Sequence, residues 1–142
     1  GDIERGFEKI LKPLLNENIQ IINSVNQNYL KEFYNKASLF VTPSIEDGFG
    51  MVILQAMACG LPVITTKNTG GSEILDEGID GFVIPIRDKE KLKEKILFLY
   101  QNKDYLLSMS KKAEQKAKSF FSWEIYGEKI KNFYLSTIQK NK

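Results

Sequence analysis

The segment from Ser38 to Gly60 limits what this chain can fold into more than any other. It opens with Ser38-Leu39-Phe40-Val41-Thr42-Pro43, a β-branched and aromatic run closed by a proline that cannot donate to a sheet. The loop Ser44-Ile45-Glu46-Asp47-Gly48-Phe49-Gly50 follows. Met51 to Cys59 is then apolar except at Gln55, with Gly60 placed to cap its C-terminus. Strand, glycine loop and helix in that order predict one unit of a parallel α/β sheet. A helix that is apolar all round is expected to be buried on every side.

The rest of the chain extends this pattern. Ile3, Phe7, Ile10, Leu11, Leu14 and Leu15 recur at helical spacing, and Pro13 is expected to end or kink that helix. Asn18 to Val25 offers Ile19, Ile21, Ile22 and Val25, a β-branched run that predicts a strand. Tyr29 to Ala37 reads as a short helix, Leu61 to Thr66 as a strand, and Asn68 to Gly71 as a turn. Ser72 to Leu75 reads as one more short helix, and Gly81 to Pro85 as another strand. Beyond Arg87 only helices are expected, the first with Asp88 as N-cap and a stripe of Leu92, Ile96, Leu99 and Tyr100. Leu106, Met109 and Ala113 mark the next. The last starts at Ser122, with Trp123, Tyr126, Ile130, Phe133, Tyr134 and Ile138 along one face. Lys111, Lys112, Lys116 and Lys118 read as a solvated helix face. Residues 1–142 are expected to form one domain, with 88–142 a helical extension within it.

Composition excludes several kinds of function. A net charge of +2 is too small to mark a nucleic-acid binder. The absence of histidine removes the usual general base and the commonest zinc ligand, so chemistry must rest on carboxylates, amides, hydroxyls or backbone groups. Cys59 is the only cysteine and can form no internal disulfide, which fits a reducing, cytoplasmic setting. No apolar run approaches the ~20 residues of a membrane span, and Gly1-Asp2-Ile3-Glu4 is unlike a signal peptide. Opening on Gly1 in helix-like sequence suggests the boundary of a longer chain.

A glycine-bearing turn between strand and helix lets the backbone approach a ligand closely, while the free N–H groups at the helix start attract an anion. Gly48, Phe49 and Gly50, running into Met51 and Val52, have that arrangement and suit a phosphate or diphosphate. For a bare Gly-x-Gly a purely structural turn is the commoner explanation, and the apolar helix that follows is what favours a ligand. Gln55 lies ~7 Å along the helix axis from Gly50 at the α-helical rise, near enough for one ligand to place an anion at the helix start and a hydroxyl beside the amide. Backbone groups could instead satisfy that amide. Asp47 flanks the glycines on their other side.

Pro43 to Ile64, read as PSIEDGFGMVILQAMACGLPVI, closely resembles the signature of retaining glycosyltransferases of the GT-B fold. The similarity continues through Asn68 to Ile74 and Gly81 to Ile84 to Phe121-Ser122-Trp123. The resemblance implies a Rossmann-like parallel sheet and the C-terminal, donor-binding half of such an enzyme, truncated on its N-terminal side. It also implies binding of a UDP- or GDP-sugar, an acceptor glycan or lipid met through an absent N-terminal domain, and transfer without a required metal ion. Asp47 would face the donor sugar as the catalytic carboxylate, Gly48, Phe49, Gly50, Met51 and Val52 the sugar and diphosphate, and Gln55 the ribose. The segment around Val25 to Leu30 would border the base.

The family motif carries two glutamates where this chain has Asp47 and Gln55, so a methylene is lost at the first and a charge at the second. Restoring Glu at position 55 is expected to strengthen the ribose contact by ~1 kcal/mol. Gly50→Val is expected to remove ligand binding with the fold largely kept. Two other readings compete: a dinucleotide domain of the oxidoreductase type, against which Ile53 stands at the third glycine position, and an interaction module without catalysis. Strands expected between those at Asn18–Val25 and Ser38–Pro43 are missing from the sequence. The sheet is therefore expected to close by direct pairing of what remains, or to be filled by another chain in a dimer.

Overall fold

The computed structural model describes residues 6–120 and 122–140. Ile3 and Phe121 therefore lie outside the described residues. The chain divides into two compact units, Gly1–Phe33 and Tyr34–Lys142.

In the first unit, α1 is a single turn, Glu8–Leu11, followed by a 3-10 turn at Lys12–Leu14. Pro13 sits near the start of that turn, where its missing N–H is not needed, so the longer helix expected from the apolar spacing does not form. Asn18 to Val25 is not a strand. The asparagines that flank the run capture backbone locally: Asn18 N–H donates to Asn16 Oδ1 at 2.9 Å and Ile19 N–H to the Asn16 carbonyl at 3.0 Å. Asn28 N–H donates to Asn26 Oδ1 at 3.0 Å, which starts the helix α2, Gln27–Lys36, across the boundary between the units. Asparagine side chains thus offer this backbone turns in place of a ladder.

The second unit holds a parallel sheet of β1 (Phe40–Thr42), β2 (Val63–Thr66) and β3 (Gly81–Ile84), in the order β1-β2-β3. Phe40 is opposite Val63, and Val63 opposite Gly81, so the three strands start in step. The helices are α3 (Met51–Ala58), α4 (Gly71–Ile74), α5 (Lys89–Gln101), α6 (Lys103–Phe120) and α7 (Trp123–Lys140). Because no strand forms at Asn18–Val25, the sheet has no gap to close, and β1 pairs with β2 alone among the described strands.

The period of two along β2 sends Val63 to one face of the sheet and Ile64 to the other. Val63 packs with Ile53, Ala56 and Met57 of α3, Leu61, Ile74 of α4 and Leu75. Ile64 packs with Phe82 and Ile84 of β3 and Leu99 of α5. Helix α6 serves both clusters, with Ala113 and Ala117 in the first and Met109 in the second. Helix α3 is buried on that one face only, whereas Met51, Val52 and Ala58 are exposed, so the expectation of burial on every side fails. Its end follows the sequence. Gly60 takes φ +76°, Gly60 N–H donates to the Met57 carbonyl and Leu61 N–H to the Ala56 carbonyl, a Schellman motif that only an αL residue permits cheaply.

Asp88 caps α5 by accepting from Lys91 N–H at 2.8 Å. Lys116 departs from the solvated face expected for the lysines of α6. Its ammonium lies 2.8 Å from Asp76 and 2.9 Å from Asp80, a carboxylate that is 1% exposed. Asp80 also accepts from Asp76 N–H, so the buried charge has both an ionic partner and a backbone donor. On α7 the aromatic face expected from the sequence is present but exposed: Trp123, Tyr126, Phe133 and Tyr134 all face solvent.

Candidate functional site

Two loops leave the same end of the parallel sheet, one after β1 and one after β2. Asp47 N–H donates to the Asn68 carbonyl at 3.2 Å and Gly70 N–H to the Gly48 carbonyl at 2.7 Å, tying them together. A parallel bridge between Asp47 and Thr69 continues the sheet between them. Beneath, three threonines lock the loop bases. Thr66 Oγ1 donates to the Ser44 carbonyl at 2.5 Å, Thr69 Oγ1 to the Thr66 carbonyl at 2.9 Å, and the Thr65 and Thr69 hydroxyls share a bond of 2.8 Å. All three threonines are buried, so their hydroxyls give the loops a fixed shape rather than a wet surface.

The glycines here have different reasons to be glycine. A Cβ on Gly70 would stand 2.6 Å from the Gly48 carbonyl oxygen and 2.7 Å from that of Phe49, so Gly70 is small because the other loop lies on it. Gly50 takes φ +65° and is the residue from which α3 starts, with no side chain capping the helix. A Cβ there would also meet Ile53 Cδ1 at 3.0 Å. Gly50→Val therefore strains the backbone and crowds the core, and it disturbs the fold before it can report on a ligand. A Cβ on Gly48 would meet nothing within 4 Å. Among the described residues nothing would touch a side chain there, so that side of the Gly48 backbone faces open space.

The two loops enclose a cleft of about 440 Å³ lined by Asp47, Gly48, Phe49, Lys67, Asn68, Thr69, Gly70, Ser72, Glu73 and Ile74. The sequence-predicted residues thus separate into two groups. Asp47, Gly48 and Phe49 line the cleft. Gly50 is buried at the start of α3, Met51 and Val52 lie exposed on its first turn, and Gln55 sits half-buried one turn further on. Gln55 does not line this cleft. Its amide oxygen instead receives the Tyr34 hydroxyl at 3.4 Å. Val25 to Leu30 belongs to the other unit, at the entry to α2.

Sequence reasoning did not assign Lys67, Asn68, Thr69, Gly70, Ser72, Glu73 or Ile74 to the site. The double glycine Gly70-Gly71 after a strand was the available signal, since a Cβ on Gly71 would press on Ile53 and Thr65. A second cavity, about 550 Å³, surrounds the Lys116 ion pair between the segment 73–80 and helices α6 and α7. Glu73 and Ile74 border both cavities. No group of carboxylates and thiols that could hold a metal ion occurs among the described residues.

Solved structures share this fold. Sucrose-phosphate synthase from Thermosynechococcus elongatus superposes with a TM-score of 0.84 at 23% identity, over 96% of this chain and 34% of that one. The pneumococcal O-GlcNAc transferase GtfA, solved in complex with UDP and GlcNAc, superposes with a TM-score of 0.75 at 25% identity, over 89% of this chain and 27% of that one. In sequence, an uncharacterized glycosyltransferase from Methanocaldococcus jannaschii is 34% identical over 121 residues, which are 83% of this chain. The chain spans 34% of that relative's length. The fold is the Rossmann-like parallel sheet of GT-B glycosyltransferases. With residues 4–138 matching the profile of the glycosyl transferases group 1 family, the chain belongs to that family.

Proposed function

We propose that this chain is the donor-binding part of a retaining glycosyltransferase that moves a hexose from a UDP- or GDP-sugar to a glycan, lipid or other acceptor. The observation that carries the reading is the cleft between the two tied loops, with the bare Gly48 backbone on its wall and the uncapped start of α3 beside it. Free N–H groups at a helix start and the helix dipole stabilise the charge that grows on a departing diphosphate. In this reading Asp47 faces the donor sugar, Gly48 to Val52 meet the sugar and diphosphate, and Gln55 meets the ribose. Lys67, on the cleft wall, adds a cation near the diphosphate. The helix start and Lys67 together answer the phosphate charge, so the reading asks for no divalent ion.

The nucleotide preference is supported by the UDP held in the GtfA neighbour. The acceptor would be met by the part of the relatives' length that this chain does not span. The proposed setting is cytoplasmic, and no helix among the described residues is long and apolar enough to cross a membrane. Calorimetric titration with UDP, GDP and NAD tests the reading. A nucleoside diphosphate should bind more tightly than NAD. Preference for NAD would point to the dinucleotide domain, and indifference to all three to a module that only makes protein contacts.

A further inference from the structure

The side-chain partner of Gln55 lies outside the glycine loop. Helix α3 has two faces: Ile53, Ala56 and Met57 enter the core, while Met51, Val52 and Gln55 share the other side at helical spacing. Gln55 is therefore on the face whose first turn is exposed. Among the described residues its side chain makes one hydrogen bond, in which the Tyr34 hydroxyl donates to Oε1 at 3.4 Å. At 3.4 Å that bond is longer than an ordinary O–H···O contact.

Tyr34 is itself held from two directions. Its ring meets the Phe40 ring edge-on with centroids 5.8 Å apart, and both aromatics pack against the core cluster that contains Ile53 and Met57. Burial, with a smaller contribution from Cys59, holds the phenol above its ordinary value of 10.0, so the hydroxyl keeps its proton and remains a donor at neutral pH.

We propose that Tyr34 is a positioning residue for Gln55. By engaging Oε1 it selects which end of the carboxamide is left for a ligand, and it makes position 55 a donor, through Nε2, to a hydroxyl oxygen of the nucleotide's ribose. A free glutamine could offer either end, because the amide turns over at little cost. A glutamate could only accept. The arrangement explains how a neutral amide can stand where the family motif has a carboxylate: a ribose hydroxyl can accept as readily as it donates, provided the amide is held one way round. The inference rests on the reading that Gln55 meets the ribose.

A double-mutant cycle on the chain tests it, with UDP and GDP titrated into the parent, Tyr34→Phe, Gln55→Ala and the double variant. Phenylalanine keeps the ring against Phe40, so the melting temperature should hardly move. Tyr34→Phe should weaken nucleotide binding about three- to tenfold while Gln55 is present, the range expected for loss of one hydrogen bond. With alanine at 55 the same change should have almost no effect. Equal weakening in both backgrounds, or none in either, overturns the positioning role while leaving the nucleotide reading intact. Failure of the parent to bind either nucleotide sinks the ribose reading instead. The pairing is then judged by the Gln55 side-chain amide NMR signals, identified by their loss in Gln55→Ala. Tyr34→Phe should shift them, and unmoved signals overturn the pairing.

Discussion

Two β-branched runs in this chain have similar composition and opposite fates. Ile19, Ile21, Ile22 and Val25 lie in a segment without strand structure, with the three isoleucines 42–48% exposed. Val63, Ile64, Thr65 and Thr66 form β2, and all four are essentially inaccessible. Two of the β2 residues are threonines, so the buried run is the less hydrophobic of the two. Propensity does not separate them. What separates them is that β2 has a parallel partner on each side and a helix layer above each face, whereas the asparagines around Ile19 satisfy nearby backbone within turns. A strand here is made by its neighbours.

The largest test removes a neighbour. Gly81 starts β3 opposite Val63, and a Cβ there would lie 2.4 Å from the Val63 carbonyl oxygen and 2.9 Å from Leu75. Gly81→Val should therefore push β3 from β2 and cost about 3 kcal/mol or more, at the upper end for overpacking. Ile64→Ala, in the same ladder but with the backbone pairing intact, should cost about 3 kcal/mol through the lost side chain and the cavity. Urea unfolding measures both. A cost under 1 kcal/mol for either would mean that the partners of β2 matter less than its sequence.

The next test concerns the support under the loop between α4 and β3. Asp80 is buried and paired with Lys116, so Asp80→Ala leaves a partly buried ammonium with only Asp76, and should destabilise by about 3 kcal/mol. The pair also fixes a pH dependence. Burial lowers the Lys116 pKa, but the hydrogen bonds it donates to Asp76 and Asp80, with the charge of both carboxylates, outweigh burial and raise the group above its ordinary 10.5. A raised folded value means the stabilisation is fully present below the unfolded pKa and fades as pH climbs through the folded one. Parent and Lys116→Met should thus differ at neutral pH and converge only as the pH climbs past the ordinary lysine range. A difference that instead vanished towards acid, with the carboxylates still ionised, would contradict the assignment.

A smaller effect on stability, but a clear one on binding, is expected at Gly48. Its Cβ position is empty and its φ is not positive, so Gly48→Ala should leave the melting temperature within a degree or two, on the order of 0.5 kcal/mol. If a diphosphate approaches that backbone, affinity for UDP or GDP should drop about tenfold, since a methyl group would stand in the ligand's way. Unchanged affinity would assign Gly48 to the turn alone.

How far these features were legible depends on whether their cause was local. The αL cap at Gly60, the N-cap at Asp88 and the strands at Phe40, Val63 and Gly81 all follow from residue type and order, and all appear at the expected places. Asp47, Gly48 and Phe49 come together in a cleft because a strand-loop-helix unit leaves them no other place. Three things were not legible. Lys116 enters an ion pair because the carboxylates at positions 76 and 80 lie far from it in sequence and close in space. Gln55 meets Tyr34 across twenty-one positions for the same reason. Helix α3 reads as buried all round because apolar composition cannot say how many neighbours will cover it.

The smallest expected effect returns to the first of the two runs. Ile21→Ala removes the same atoms as Ile64→Ala, yet its side chain is 42% exposed and belongs to no ladder. The transfer loss scales with the apolar area that leaves water on folding, and no enclosed cavity can form where solvent already reaches, so the cost should stay within about 0.5–1 kcal/mol. Measuring the two alanine variants side by side in urea makes the comparison direct, because chain length, residue type and atoms deleted are identical. Native-state hydrogen exchange adds the backbone half: amides of β2 should exchange only with global unfolding, and that of Ile21 much sooner. If Ile21→Ala cost as much as Ile64→Ala, or if the Ile21 amide were as protected as those of β2, the first run would have to be a strand with a partner, and the claim that the asparagine turns prevent one would fail.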